Sequence, residues 1–189
     1  SPHIISSTFI NNKAVYGYGG AISINDSHNL IIKKTNMISN LAQYGGGIYI
    51  YDSKNIECSE CYFESNEADF GGGIYIIDSG MIPVPILFKN CILWQNDAYS
   101  GGGIYVDNSI VNILYSTLND NSATQNEGGG IYTKNNGSTM ILNSIFWINK
   151  ADSYPEIFSE NNLSITYSNI NAGANGEGNI DIDPLFEDE

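Results

Sequence analysis

The sequence predicts an all-β fold, a right-handed parallel β-helix (β-solenoid) of six to seven rungs of about 26 residues, and three observations lead there. A glycine block recurs five times, as Gly19-Gly20-Ala21-Ile22, Gly45-Gly46-Gly47-Ile48, Gly71-Gly72-Gly73-Ile74, Gly101-Gly102-Gly103-Ile104 and Gly128-Gly129-Gly130-Ile131. Its isoleucines lie 26, 26, 30 and 27 residues apart, and an eroded copy, Tyr154-Pro155-Glu156-Ile157, follows after another 26. A second block, apolar-x-x-Asn-x-Ala, recurs in fixed phase at Phe9/Asn12/Ala14, Met37/Asn40/Ala42, Phe63/Asn66/Ala68, Leu93/Asn96/Ala98, Leu118/Asn121/Ala123 and Phe146/Asn149/Ala151. Between the blocks apolar residues alternate with period two, and no 3.6 period is sustained, so the segments read as short half-buried strands. Such a unit cannot bury its apolar face alone; stacking on copies of itself at about 4.7–4.9 Å buries it. Parallel crossovers are right-handed by strong preference, which sets the hand.

Along each rung the elements follow in order. The first strand points Ile4, Ile32, Cys58, Phe88, Ile113 and Ile141 inward, preceded from the second copy on by Leu30, Ile56, Ile86, Val111 and Thr139. A small column comes next, Ser7, Thr35, Cys61, Cys91, Ser116 and Ser144, and the polar or mixed positions between, such as Lys34, Glu60, Asn90, Tyr115 and Asn143, read as outward strand residues. The apolar residue of the second block forms the next strand, and the asparagine column marks a turn where stacked amides hydrogen-bond one another and satisfy turn backbone. The glycine block and its isoleucine open the last strand. A seventh rung begins with Ile165, Ser168 and Ile170 and loses the pattern at Gly173 and Asn175. The 30-residue interval holds Gly80-Met81-Ile82-Pro83-Val84-Pro85, whose two prolines cannot join a central ladder and so predict a bulged loop. The whole chain, 1–189, reads as one β-helix domain, with repeats over 1–170 and an acidic tail over 171–189. Ile4 stands in mid-rung with no capping helix before it, and a fragment of a longer protein is expected.

Composition narrows the function. Twenty-one Asp+Glu against 7 Lys+Arg give a net charge of −14, and every cation is a lysine. That balance excludes nucleic acid and is a poor match for phosphate or anionic lipid. The longest apolar run, residues 81–88, is too short to span a membrane, so no direct insertion is expected from this segment, and the start lacks a basic region. Three cysteines leave the compartment open.

Several columns carry candidate chemistry. Tyr49, Tyr75, Tyr105 and Tyr132 follow inward isoleucines, so alternation turns them outward as an aromatic row; a row at rung spacing suits stacking of sugar rings, or else plain cross-strand packing. Asp26, Asp52, Asp78, Asn108 and Asn135 form an acidic-to-amide column, and the tail adds Glu177, Asp181, Asp183, Glu187, Asp188 and Glu189. Stacked carboxylates repel unless separated, protonated or bridged, so Ca2+ at Asp26, Asp52, Asp78, Asp181 or Asp183 is one reading and solvated acidic surface the other. Cys58 and Cys61 fall in core columns, and no second pair or nearby histidine completes a metal tetrahedron. Cys61 and Cys91 share a column on neighbouring rungs, where a disulfide is geometrically conceivable. His3 and His28 are isolated, and no catalytic motif stands out.

The glycine block with its phased Phe-x-x-Asn-x-Ala resembles the pectin-lyase-like right-handed parallel β-helix superfamily, in particular its surface-protein branch, which includes the polymorphic outer-membrane autotransporter adhesins. The likeness covers residues 4–170. The tail, Tyr167-Ser168-Asn169-Ile170 and then Gly176-Glu177-Gly178-Asn179-Ile180-Asp181-Ile182-Asp183-Pro184-Leu185-Phe186, resembles the end of secreted bacterial β-helix proteins, where an anchoring segment follows. The resemblance implies export to the cell surface or the extracellular medium. It leaves activity open, because the superfamily mixes lyases, hydrolases, adhesins and stalks. A lyase resembling pectate lyases wants a Ca2+ carboxylate cluster and a cation, usually Arg, to take a proton; here only Lys13, Lys33, Lys34, Lys54, Lys89, Lys134 and Lys150 are available. The expected function is therefore non-catalytic: a bacterial surface or secreted module that binds glycans, matrix or another surface protein, or serves as a stalk. A polysaccharide lyase or glycoside hydrolase, or the support part of one, is the alternative.

Overall fold

A computed structural model describes residues 2–80 and 84–186. Each turn of chain makes short strands in a fixed order, as in the second rung: Ile31–Lys33, Asn36–Ile38, Leu41–Tyr44 and Ile48–Tyr51. Sheet 1 stacks seven parallel strands from His3–Ile5 to Asn162–Thr166, sheet 2 seven from Thr8–Ile10 to Asn169–Ile170, and sheet 3 six from Ile22–Asn25 to Ile157–Ser159. A narrower ladder through Leu41–Tyr44 closes the fourth side, continued by single bridges such as Leu41 with Glu67 and Glu67 with Asp97. No helix among the described residues is long and apolar enough to cross a membrane.

The predicted columns are the observed ladders. Ile48, Ile74 and Ile104 are direct neighbours in sheet 3, and Met37, Phe63 and Leu93 in sheet 2. Their side chains fill the bore without solvent exposure, each contributing about 1.5–3 kcal/mol by leaving water. The long third interval rejoins in phase, with Phe88 opposite Cys58. Of the bulge predicted over residues 80–85, Met81, Ile82 and Pro83 lie outside the described residues, as do Glu187, Asp188 and Glu189 of the tail.

The corners differ from the sequence reading. Lys34, Glu60, Asn90, Tyr115 and Asn143 are not outward strand positions: each has φ near +50° and turns the chain from sheet 1 to sheet 2. Asn90 and Asn143 suit this corner, because the left-handed region is least costly for Asn and Asp. The residue after each left-handed corner takes over the polar bonding. Asn90 is followed by Cys91, whose N–H donates to Ser116 Oγ, and Ser116 N–H donates in turn to Ser144 Oγ. At the corner leaving sheet 3, Ser27, Ser53 and Ser79 bond the next rung's serine in the same way. The glycine block makes the corner that enters sheet 3: Gly45 has φ +67°, and a Cβ there would lie 2.2 Å from Ile48 O.

The tail is not a loose extension. Ile180 N–H donates to Ser168 O and Ile170 N–H to Ile180 O, while the Asn179 side chain accepts from Ser168 N–H, so residues 174–182 lie against the last rung. Farther on, Phe186 settles on the outer surface of sheet 2.

Candidate functional site

Four places hold chemistry: the tyrosine row, the acidic column, the asparagine ladder with its end, and the outer face of sheet 2.

The tyrosines do point out of the bore, but they are not open. Tyr49, Tyr75 and Tyr105 are 8%, 6% and 4% exposed, and form a cluster separate from the isoleucine core. Neighbouring rings stack, Tyr75 on Tyr105 with centroids at 4.9 Å and planes at 14°, and Tyr49 on Tyr75 at 5.7 Å and 9°. A second row covers them from the residue before each left-handed glycine: the Tyr44 ring meets Tyr75 edge-on at 5.3 Å, and Phe70 meets Tyr105 at 5.6 Å. Tyr132 stays half-buried because Ser100 and Glu127 follow Phe70 in that column. Burial pushes the Tyr49 hydroxyl up to about 12 and those of Tyr75 and Tyr105 further. Of the two readings of this row, the ring contacts are those of cross-strand packing: the faces a sugar would stack on lie against each other. The signal was present in Tyr18, Tyr44 and Phe70, one column earlier.

The acidic column has a backbone cause. Asp26, Asp52 and Asp78 have φ of 46°, 43° and 51°, the left-handed corner leaving sheet 3, where Asp and Asn are the least strained side chains. Farther along, Asn108 Nδ2 donates to Asp78 Oδ1 at 2.7 Å, so an amide follows the three carboxylates and takes up the last of them. Asp183 Oδ1 accepts from Leu185 N–H. Among the described residues no three carboxylates, histidines or cysteines converge as metal ligands. The three thiols are free and buried, with Cys61 Sγ donating to Ser59 O and Cys91 Sγ to Cys58 O. Burial raises the Cys58 thiol, consistent with core packing. Lys33, Lys34, Lys134 and Lys150 are taken up in ion pairs with Glu60, Glu60, Asp107 and Asp120.

The asparagine ladder is continuous. Asn66 Oδ1 accepts from Asn40 N–H at 3.0 Å and Asn40 Nδ2 at 2.9 Å, and Asn66 Nδ2 donates to Asn96 Oδ1 at 2.9 Å and Met37 O at 2.8 Å. The same bonds repeat through Asn121 to Asn149. There the seventh rung offers Gly173 instead of an asparagine, and Glu156 supplies the missing acceptor: its Oε2 takes the Asn149 Nδ2 proton. Glu156 holds the third-glycine position of the eroded block, so its side chain enters the bore. It is 5% exposed, its Oε1 has no partner among the described residues, and burial raises its carboxyl to about 7. Nothing in the repeat pattern assigned this residue a role.

On the outer face of sheet 2, Glu64, Trp94, Asn119 and Trp147 form one column, beside Tyr62, Ile92, Thr117 and Ile145. Ile92 is 46% exposed. Tyr62, Ile92, Trp94, Thr117 and Asn119 line a cavity of about 270 Å3 with Phe186 of the tail at its border. Sequence reasoning passed over this column because the two tryptophans are separated by an asparagine.

Compared with known families, residues 4–113, more than half of the chain, match the model described as right handed beta helix region. Residues 115–134 match the Chlamydia polymorphic membrane protein repeat. No curated protein and no solved structure matches the chain.

Proposed function

The chain belongs to the right-handed β-helix family, and on that footing we propose that it acts without catalysis, as a rigid module on a bacterial surface that holds glycans or other surface proteins along the outer face of sheet 2. The observation that carries this reading is the outward column of Trp94 and Trp147, two rungs and so about 10 Å apart, flanked by Tyr62 and the exposed Ile92. Tryptophan and tyrosine are the side chains that anchor contacts most strongly for the ordering they cost. Repetition along a stiff stack lets weak contacts on successive rungs add as avidity. The polymorphic-membrane-protein repeat over residues 115–134 supports a surface setting. On this reading the packed tyrosine row is a wall of the module and the tryptophan column its contact face.

The test is binding of the folded chain to immobilised acidic and neutral polysaccharides, with product analysis of the same mixtures. The double variant Trp94→Ala/Trp147→Ala should lose binding at least tenfold with its circular dichroism unchanged. Cleaved polysaccharide, or binding indifferent to both tryptophans, overturns the proposal.

A further inference from the structure

At the C-terminal mouth of the stack the bore opens into a cavity of about 350 Å3, bordered by Tyr154, Glu156, Ile157, Leu163, Ile165 and Ile170 and by the chain at residues 171–174. Its walls are mostly apolar, and the carboxyl of Glu156 is the charged group in them. One oxygen of that carboxyl holds the end of the asparagine ladder; the other, Oε1, is buried without a partner among the described residues. We infer that this mouth is a binding site for a primary ammonium group carried on a small apolar body.

A buried acceptor left unpaired costs about 1–3 kcal/mol, which a ligand donor returns. The size, the apolar walls and the single convergent polar group are those of a small-molecule site. Charge decides between donors. The chain carries −14 overall, no lysine borders the cavity, and Asp181 of the tail acts on Glu156 with the same sign. An anion is repelled there and a cation drawn in. The other titratable group at the cavity is Tyr154; Asn149 faces Glu156 from below as a neutral amide. Because an ammonium group favours ionised Glu156, its affinity rises with pH through about 7.

The experiment titrates the intact chain with n-pentylammonium chloride, 1-pentanol and pentanoate, following amide shifts by NMR. Pentylammonium should give saturable shifts confined to the residues around the mouth, pentanol at least tenfold weaker ones and pentanoate none. Glu156→Gln should weaken the amine tenfold or more and flatten its pH profile. Leu163→Trp, which blocks the cavity from a 39% exposed position and keeps the carboxyl, should abolish binding whether or not the Gln variant folds. Equal binding of pentanol and pentylammonium, amine binding untouched in Leu163→Trp, or no saturable shift at all overturns the inference. None of these outcomes depends on the outer face of sheet 2, so this site and the adhesive reading fail separately.

Discussion

Asn66→Ala removes one amide from the middle of the ladder, and its cost follows from the bonds that amide makes. The side chain has no solvent exposure. Four hydrogen bonds vanish: two into its Oδ1 from Asn40 N–H and Asn40 Nδ2, and two from its Nδ2 to Met37 O and Asn96 Oδ1. Asn96 Oδ1 keeps the donation from Asn66 N–H, so the acceptor side is only thinned. The donor side is worse, because Asn40 is itself fully buried and its backbone N–H and one amide proton are left with nothing to bond. Two orphaned buried donors at about 1–3 kcal/mol each place the loss at roughly 4 kcal/mol, a large part of the 5–15 kcal/mol that holds an ordinary domain together. Urea unfolding followed by far-ultraviolet circular dichroism measures it, with Asn36→Ala as the control: Asn36 is on an exposed position of sheet 2, and its loss should stay within about 0.5 kcal/mol. If Asn66→Ala is no more destabilised than Asn36→Ala, the ladder is not the bonded column described above.

Other predictions follow from the corners and the ends. The Glu156 carboxyl is raised from 4.5 to about 7 in the folded chain, so the fold binds this proton more tightly than the unfolded chain does; its stabilising contribution is complete below pH 4.5 and is lost as pH rises through 7. At about 1.4 kcal/mol per unit this amounts to roughly 3 kcal/mol, and urea midpoints should fall between pH 5 and pH 8 by more in the parent than in Glu156→Gln; equal slopes contradict it. Ile148 is a β-branched residue at φ 45° on an exposed corner, so Ile148→Asn should raise the stability by about 1 kcal/mol in the same assay, and a lowered midpoint refutes the strain. Nitration with tetranitromethane, read by peptide mapping, should modify Tyr16, 93% exposed, and spare Tyr75 and Tyr105; in Tyr44→Ala/Phe70→Ala both become reactive, and prompt nitration of Tyr75 in the parent would show that the cover is absent.

The ladders were legible in the sequence because stacking makes the same column a set of neighbours, so Ile48, Ile74 and Ile104 or Asn40, Asn66 and Asn96 had to be alike to be buried together. What alternation could not distinguish was a left-handed corner from a strand: Lys34 and Glu60 keep the period-two polarity while turning the chain. Direction was also legible where cover was not. Tyr75 follows an inward isoleucine and does point away from the bore, but its exposure is set by Tyr44, more than thirty residues earlier, whose ring arrives across the rung gap. The Asp26, Asp52 and Asp78 column drew notice for its charge, and alternation could not show that it also stands at a left-handed corner. Glu156 was hidden for the opposite reason: as a departure from a repeat it read as erosion, whereas the departure is what ends the ladder.

The stacking itself can be measured as a length. Thr8, Asn36, Tyr62, Ile92, Thr117 and Ile145 occupy one position of sheet 2 on successive rungs. Spin labels at Thr8→Cys and Ile145→Cys, in a chain whose three native cysteines are serine, should lie about 24 Å apart by electron–electron resonance, five rungs at about 4.8 Å, although 137 residues of chain separate them. A narrow distribution near that length is the predicted result; a broad one, or a mean beyond about twice that spacing, would contradict the parallel stack.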